Sequence, residues 1–283
     1  MPGTLHVIAT PIGNLEDITL RAVRLLREVA LVAAEDTRRT AKLLHHFGIQ
    51  TPTISYHAHN HRARLPILLD RLRKGEDLGL VSDAGTPGLS DPGVELVDAC
   101  LSEGFPVNPV PGPSALLAAV TASGFVMTPM TWLGFGPSRS KDLKVWLSSL
   151  AAIPHTVCFL EAPHRIKHTL EAISGVLGSR PIVLARELTK AHQEILRGPA
   201  HDVLERLKSF KGEFTLVVGP ISADTVTAAA STDDEVVRDF WRLAESGEFP
   251  SRRALVTALA RKHNRSSREI YALILEHQPG QKA

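Results

Sequence analysis

Short apolar runs rich in β-branched residues alternate with longer segments of helical spacing along residues 5–219, and this alternation constrains the fold more than any other feature. The runs carry little polar alternation, which is typical of strands covered by helices on both faces of a parallel sheet. Between the runs, apolar positions recur at three and four residues, as along the segment that contains Leu20, Val23, Arg24 and Arg27. The strands of this first sheet are predicted at residues 5–9, 30–34, 53–56, 78–82 and 107–110.

A second set of runs begins after residue 128 and predicts a different kind of sheet. Helical stretches at residues 142–150, 166–177 and 200–208 separate most of these runs, but residues 188–192 are too few to form a crossover helix. The strands on either side of that gap are therefore predicted to pair antiparallel within a mixed sheet. These strands are predicted at residues 130–135, 156–160, 182–187, 193–197 and 214–218. We predict an α/β fold with two α/β domains, residues 1–115 with a mostly parallel sheet and residues 116–220 with a mixed sheet.

The last part of the chain is predicted to be a small helical module. Residues 221–231 are small and polar and are typical of a linker. Beyond them, Thr232-Asp-Asp-Glu235 and Ser266-Ser-Arg-Glu269 both fit the S/T-x-x-E capping box, so each is expected to begin a helix. Residues 249–268 contain six Lys or Arg and no acidic residue. The module, residues 233–278, can bind nucleic acid or only pack, and the sequence leaves both interpretations open.

Composition excludes several classes of protein. The 283 residues are 43% hydrophobic and 22% charged, which is a globular mix and not a disordered one. Two cysteines cannot form a disulfide framework or a four-cysteine zinc site. No apolar run approaches the roughly 18 residues that span a bilayer, and the N-terminus has no secretory pattern. We therefore expect a soluble, cytoplasmic protein.

Three predicted strands are followed by loops dense in glycine and proline, at residues 10–14, 83–88 and 111–115. Parallel α/β sheets bind ligands at the carboxyl ends of their strands, so these loops predict a ligand crevice. None of them matches the P-loop or the dinucleotide fingerprint, which argues against a nucleoside triphosphate or a dinucleotide. Asp83 either accepts hydrogen bonds from a ligand or caps the amides of its own loop.

A histidine cluster, His57-Ala-His-Asn-His61, has the residue types of a metal site. Metal-bound imidazoles are usually oriented by a further acceptor, commonly a carboxylate, and Arg62 and Arg64 follow the cluster instead. We predict a polar loop without a metal, with metal binding as the alternative.

Eight short motifs between residues 9 and 217 are specific as a set. They are Ala9-Thr-Pro-Ile-Gly-Asn-Leu-Glu-Asp-Ile-Thr-Leu-Arg21, Ala33-Ala-Glu-Asp-Thr-Arg38, Ser82-Asp-Ala-Gly-Thr-Pro87, Ser90-Asp-Pro-Gly93, Pro111-Gly-Pro-Ser-Ala115, Glu161-Ala-Pro-His-Arg165, Ala185-Arg-Glu-Leu-Thr-Lys190 and Lys211-Gly-Glu-Phe-Thr-Leu-Val217. Together they resemble the tetrapyrrole methylase superfamily. Within it, they resemble the bacterial branch that methylates ribose 2′-hydroxyls of small-subunit ribosomal RNA.

The resemblance implies S-adenosylmethionine as the cofactor, bound between the two α/β domains. It also implies methylation of a cytidine 2′-hydroxyl in the decoding region of 16S rRNA, in or near the small ribosomal subunit, by a homodimer. The cofactor residues carried over by motif are Pro11, Asp83, Ala84, Gly85, Thr86, Ser114, Ala115, Leu160, Thr215 and Leu216.

A ribose hydroxyl is a weak acid, so a proton acceptor near it would assist the reaction. Five candidates lie at predicted strand ends, namely Glu35, Asp36, Glu161, His164 and Glu187. We select Glu161, His164 and Asp36 for the catalytic role, and ion pairing with a neighbouring arginine is the alternative for each candidate.

Basic side chains near the crevice and in the helical module are candidates for contact with RNA phosphates. They are Arg38, Arg39, Arg139, Lys141, Arg165, Arg252 and Arg253. Two other functions stay open, a methyltransferase for a tetrapyrrole-like small molecule and an RNA-binding assembly factor without catalysis.

Overall fold

A computed structural model describes residues 1–89, 93–221, 233–246, 249, 251–263 and 265–277 of the chain. The chain divides into two compact units, Met1–Pro220 and Ile221–Ala283. The first unit contains both predicted sheets and the second contains the predicted helical module. The motif at residues 90–93 falls almost entirely outside the described residues.

The first sheet is wholly parallel, which confirms the prediction. Its strand order is β3-β2-β4-β1-β5, and every pair within it is parallel. The strands are β1 (Leu5–Ile8), β2 (Leu31–Ala34), β3 (Thr53–Ser55), β4 (Leu78–Val81) and β5 (Val107–Val110). The helices that connect them are α1 (Leu20–Glu28), α2 (Thr37–His46), α3 (His61–Arg73) and α4 (Val94–Ser102). Helices pack on both faces of the sheet and form two separate apolar clusters with it.

Helix α1 forms where the helical spacing predicts it, although Leu20 of that spacing is not buried. Thr19 accepts the Ala22 amide and so begins the helix, which leaves Leu20 in the first turn with 90% of its surface exposed. The buried face instead carries Ala22, Leu25 and Leu26, at positions one helical turn apart.

The second sheet is mixed, as predicted, with strand order β6-β7-β10-β8-β9. Only β6 and β7 are parallel, whereas β10 pairs antiparallel with both β7 and β8, and β8 pairs antiparallel with β9. The strands are β6 (Met130–Phe135), β7 (Thr156–Glu161), β8 (Ile182–Arg186), β9 (Glu194–Gly198) and β10 (Phe214–Val218).

Helices also cover both faces of the second sheet. One face packs against α6 (Ser140–Ala151), α7 (Ile166–Leu177) and α8 (Ala200–Arg206). The other face packs against α5 (Ala115–Ser123), whose Leu116 and Val120 meet Cys158 and Val217. Ile12, from the loop after β1, joins this last cluster, so the first loop of one sheet is anchored in the core of the other.

A single buried arginine ties together the end of the second sheet opposite the cleft described below. Arg180, only 7% exposed, donates to the carbonyls of Leu150, Ile153, His155 and Gly219 at 2.7–3.1 Å. Burial lowers the pKa of Arg180, but a guanidinium remains charged at neutral pH. The side chain therefore replaces water for four backbone acceptors at once.

Replacing Arg180 with methionine should lower the free energy of unfolding by about 2–4 kcal/mol, because buried carbonyls lose charged donors without gaining others. Urea denaturation measures this loss. Arg24→Met is the control, because Arg24 is exposed and its ion pair with Glu28 is of a kind worth at most about 1 kcal/mol. Equal losses in the two variants would contradict the role given to Arg180.

The C-terminal unit is helical, as predicted. It contains α9 (Asp233–Ser246), α10 (Arg252–Lys262) and α11 (Ser267–Glu276), packed around Phe240, Leu255 and Ile270 among others. The capping box at Ser266 is confirmed, since its hydroxyl accepts the Glu269 amide and the Glu269 carboxylate accepts the Ser266 amide. The other predicted box begins at Thr232, which lies outside the described residues. No helix within the described ranges has the length and apolar character needed to cross a membrane.

Candidate active site

The three loops rich in glycine and proline meet because the strands before them, β4, β1 and β5, are neighbours in the sheet. Thr10 and Gly85 exchange two backbone hydrogen bonds of 2.9 Å, which join the first two loops. The Thr86 hydroxyl donates to the Pro113 carbonyl at 3.1 Å and joins the second loop to the third. Gly85 has φ +82°, a conformation that other residues adopt only with strain. The predicted crevice is therefore present, with its loops fixed to one another.

A cavity of about 440 Å³ lies between these loops and the adjoining edge of the second sheet. Its walls combine aromatic and aliphatic side chains with small residues, and its charged members are Glu35, Arg39, Asp83, Glu161 and Glu213. The full lining is Ile12, Glu35, Arg39, Asp83, Ala84, Gly85, Thr86, Leu89, Ser114, Ala115, Leu116, Trp132, Phe135, Leu160, Glu161, Ala162, Pro163, Glu213, Phe214 and Thr215. We refer to this cavity as the cleft.

The structure brings most of the expected cofactor residues to the cleft. Pro11 lines a smaller neighbouring cavity instead, and the Leu216 side chain is fully buried in the core on the side of α6 and α7. Thr215 and Leu216 are consecutive in a strand and therefore point to opposite faces. The expected residues that line the cleft are Asp83, Ala84, Gly85, Thr86, Ser114, Ala115, Leu160 and Thr215.

The lining also contains residues that sequence reasoning missed. Ile12, Trp132, Phe135 and Phe214 are apolar residues of this lining, and the Phe214 side chain packs with Leu216 into the core on the side of α6 and α7. Trp132 and Phe135 lie on β6, which neighbours β7 in parallel. Large aromatic residues in a predicted strand next to the motif at residues 161–165 are a signal that could have found them.

Asp83 binds the neighbouring loop rather than its own. Its carboxylate accepts the Asp36 amide at 2.9 Å and lies 3.5 Å from the Arg39 guanidinium. Its own amide donates to a carboxylate oxygen of Glu35 at 3.1 Å. The ends of β2 and β4 are thus linked in both directions, which holds Glu35 on the wall of the cleft.

The carboxylate of Glu161, the first selected catalytic residue, accepts hydrogen bonds from neighbouring residues of the protein. Its side chain is completely buried, and one oxygen accepts the Ala162 amide at 2.7 Å and the Arg165 guanidinium at 3.0 Å. The other oxygen accepts the Thr169 hydroxyl at 2.6 Å and a second Arg165 nitrogen at 3.2 Å. With four donors satisfied, this carboxylate fixes the turn that leads into α7.

Arg165 is likewise engaged within the protein. Besides Glu161, it donates to the carbonyls of Gly136 and Pro137 at 2.8 and 2.6 Å. These carbonyls belong to the loop between β6 and α6, which leads to Arg139 and Lys141. Arg165 therefore positions a basic loop, and its own guanidinium is only 18% exposed.

The other two selected catalytic residues lie outside the cleft lining. Asp36 accepts the Arg38 amide and begins α2, and its hydrogen bonds with the Arg38 side chain and amide lower its pKa to about 2. His164 is exposed on the turn after β7. The acceptor that does line the cleft at the end of β2 is Glu35. Among the described residues, only the Asp83 amide donates to Glu35, so its second oxygen receives no hydrogen bond from them.

The fifth candidate, Glu187, takes part in a cluster of charged side chains that reaches the cleft through Glu213. Lys190 donates to Glu187 at 3.0 Å and to Glu213 at 3.1 Å, and the Lys190 stem lies so close to Gly13 that a Cβ there would overlap it. Glu187 has φ +51°, which is strained for a residue with a Cβ. We call Gly13, Glu187, Lys190 and Glu213 the clasp, because they hold the first loop against the second sheet.

Replacing Lys190 with methionine should destabilise the protein by about 1 kcal/mol at pH 7, since Glu187 and Glu213 would then face each other without a cation. Burial tends to raise the pKa of Glu187, but hydrogen bonds from Lys190 and the Glu213 amide outweigh it and lower the pKa. A lowered carboxyl pKa adds stability above its unfolded value of 4.5, and this stability is lost as the pH falls through the folded pKa.

The difference in unfolding free energy between wild type and Lys190→Met should therefore shrink from pH 7 to pH 3.5. Denaturant titrations at the two pH values measure it, and Lys208→Met is an exposed control. If this difference stays constant or grows toward pH 3.5, Lys190 does not stabilise the protein through its ion pairs with Glu187 and Glu213.

The histidine cluster forms a turn before α3. The His57 ring accepts the His59 amide at 3.1 Å and lies 3.2 Å from the Asn60 side-chain nitrogen, while the His61 ring lies 2.9 Å from the Ala58 carbonyl. Among the described residues, no group of three or more His, Cys, Asp or Glu is arranged to hold a metal ion.

The remaining candidates for RNA contact are basic side chains at the surface of the two units. Arg38, Arg39, Arg139 and Lys141 are exposed on the loops and helices around the cleft. In the C-terminal unit, Arg252 and Arg253 are both exposed, and the Arg252 guanidinium lies over the rings of Phe240 and Tyr271 at 5.4 and 5.9 Å.

Solved structures with this fold include several methyltransferases. A diphthine synthase superposes with a TM-score of 0.61 at 14% sequence identity, and the match covers 78% of this chain and 91% of that chain. Uroporphyrin-III C-methyl transferase from Thermus thermophilus, complexed with S-adenosyl homocysteine, superposes with a TM-score of 0.53 at 19% identity, covering 76% and 97%. At such identities the likeness concerns the fold alone.

Several relatives have a much higher sequence identity to this chain. The chain is 43% identical to the ribosomal RNA small subunit methyltransferase I of Synechocystis sp., over 97% of this chain and 98% of the relative. It is 45% identical to the protein of the same name from Halalkalibacterium halodurans, over 76% and 75%. A family model described as Tetrapyrrole (Corrin/Porphyrin) Methylases matches residues 4–204, which include every strand of the two sheets except β10. With its paired sheets, its glycine-rich loops and this match, the chain belongs to the tetrapyrrole methylase family.

Proposed function

We propose that this protein transfers a methyl group from S-adenosylmethionine to the 2′-hydroxyl of a cytidine ribose in the RNA of the small ribosomal subunit. The observation that carries the proposal is identity of 43% with a ribosomal RNA small subunit methyltransferase over nearly the full length of both chains. The cleft supports it, because the loops that line it belong to the motifs in which the resemblance lies.

The cleft is suited to S-adenosylmethionine in size and chemistry. Its volume of about 440 Å³ lies within the range of roughly 300–1,000 Å³ that small-molecule sites occupy. Aromatic and aliphatic walls can cover an adenine ring, while small residues such as Ala84, Gly85 and Ala115 leave room for the ligand. The Asp83 carboxylate supplies an acceptor for hydroxyl or ammonium groups of the donor and attracts a cation.

S-adenosylmethionine supplies a methyl group that its sulfonium has already activated, so the protein mainly has to align the attacking oxygen. Fixing two reactants in a productive geometry can contribute about 7–11 kcal/mol. The hydrogen bonds between the three loops and the clasp on the first loop provide the rigidity that this alignment needs.

Glu35 is the residue we assign as acceptor of the 2′-hydroxyl proton. It lines the cleft, the Asp83 amide orients one of its oxygens, and no described group donates to the other. Glu161 and Asp36, selected from sequence, instead bind donors that fix α7 and α2. We therefore treat Glu161 and Asp36 as positioning residues.

The remaining features of the proposal concern partners and location. The target is assigned to 16S rRNA within the small ribosomal subunit, and the enzyme is assigned to the cytoplasm, where that subunit is made. A homodimer and RNA binding by residues 233–278 are also part of the proposal, as is the division of the first unit at residue 115.

The test is transfer of radiolabelled methyl from S-adenosylmethionine to a panel of acceptors. The panel contains small subunits lacking the modification, protein-free 16S rRNA, and porphyrin and corrin compounds. Labelling of RNA or subunits and of no small molecule is expected. Labelling of a porphyrin or corrin would assign the small-molecule reaction instead, and donor binding without transfer to any acceptor would favour an assembly factor.

A further inference from the structure

Helix α2 presents an exposed face that is basic throughout. Its exposed residues include Arg38, Arg39, Lys42, His45 and His46, and the helix contains no acidic residue. These positions recur at three, four and seven residues, so they share one side of the helix. The opposite side is held to the first unit by buried Thr40 and Leu44.

A small cavity of about 180 Å³ lies where this face meets the first loop. Pro11 and Leu15 line it from the loop, and Lys42 and Leu43 line it from α2. It shares Arg39 and Asp83 with the cleft, so the ion pair between these two side chains stands at the boundary of both cavities. We call the smaller cavity the side pocket.

The geometry points to the side pocket and the α2 face as the binding site for the RNA phosphate that follows the methylated ribose. This inference rests on the proposed function. In RNA the 2′- and 3′-carbons of a ribose are bonded to each other, so a 2′-oxygen in the cleft brings the 3′-phosphate to the edge of the cleft. Arg39 lies at that edge, and the basic face of α2 leads away from it.

The charges on this face are available to a new partner. Arg38 is 87% exposed and pairs with Asp36, and Arg39 is 63% exposed and lies 3.5 Å from Asp83. Such exposed pairs contribute little and can be exchanged for contacts with phosphate. In the described part of the chain, Lys42 forms no ion pair. The face therefore carries net positive charge beside the cleft, as binding to a phosphate backbone requires.

The size of the side pocket matches the same ligand. Its 180 Å³ correspond to about six water molecules at roughly 30 Å³ each. A phosphodiester has five heavy atoms at its centre, one phosphorus and four oxygens, and so fits this space.

The test uses Lys42, which is absent from the cleft lining. Lys42→Glu should raise KM for small subunits about 10- to 100-fold, and Lys42→Ala about three- to tenfold, with kcat changed less than twofold. The salt dependence of RNA binding should become shallower by about one unit of log–log slope in Lys42→Ala. Lys74→Ala is the matched control, since Lys74 follows α3 and precedes β4, at the amino edge of the same sheet.

Affinity for S-adenosyl homocysteine, measured by calorimetry, should be the same in all variants as in wild type. If the wild-type protein methylates RNA and Lys42→Glu has an unchanged KM and salt slope, the inference is wrong while the proposed function stands. Loss of donor affinity in Lys42→Glu would also overturn it, because the side pocket would then belong to the donor site. A wild-type protein that methylates no RNA would instead reject the proposed function.

Discussion

Glu35→Gln should lower kcat for RNA methylation by about 10²–10⁴-fold, the range in which a positioned general base contributes to a reaction. Glutamine keeps an oxygen that can accept the Asp83 amide, so the loop geometry should persist, but it cannot take up a proton at neutral pH. Single-turnover transfer of labelled methyl to small subunits measures the effect.

Two controls separate loss of the proton acceptor from loss of structure. Glu16→Gln removes an exposed carboxylate on the first loop and should retain full activity. Affinity of Glu35→Gln for S-adenosyl homocysteine should remain within about threefold of wild type, since a neutral hydrogen-bond partner replaces a charged one. Activity of Glu35→Gln within tenfold of wild type would show that the reaction needs no base at this position.

Ala115→Trp should weaken binding of S-adenosylmethionine and S-adenosyl homocysteine by about 100-fold or more, because filling a packed site with extra atoms costs about 1–3 kcal/mol or more. Ala115 is the first residue of α5 and lines the cleft, so an indole there would enter the cavity. Calorimetric titration of the two ligands measures the loss.

Ala122→Trp is the matched control for this substitution. Ala122 lies on the same helix but is exposed, so its indole would extend into solvent. Both variants should unfold within a few degrees of wild type. Equal donor affinity in Ala115→Trp and wild type would mean that the donor binds elsewhere than the cleft.

The buried strands are the part of the fold that the sequence predicts best. Runs such as residues 107–110 and 214–218 coincide with β5 and β10, because apolar segments of this length have few ways to be covered on both faces. Which face of α1 is buried does not follow from apolar spacing alone, for a local reason. The Thr19 cap leaves Leu20 in the first turn, outside the buried stripe of Ala22 and Leu25.

The sequence predicts the loops of the site, but it does not predict which acidic residue lines the cleft. Parallel topology alone brings the glycine-rich loops to one edge, and it needs no knowledge of side-chain direction. Glu35 and Asp36 are adjacent, and only the turn geometry decides that Glu35 lines the cleft while Asp36 caps α2. The full engagement of Glu161 depends on Thr169, eight residues further on, which no local motif includes.

Mass mapping of 16S rRNA tests the proposed function most directly, after small subunits lacking the modification are incubated with the pure protein and S-adenosylmethionine. The proposed function predicts the mass of one added methyl group on the ribose of a single cytidine, and its absence when Ala115→Trp replaces the wild-type protein. A methyl group on a base, or RNA unchanged by an enzyme that binds the donor, would contradict it.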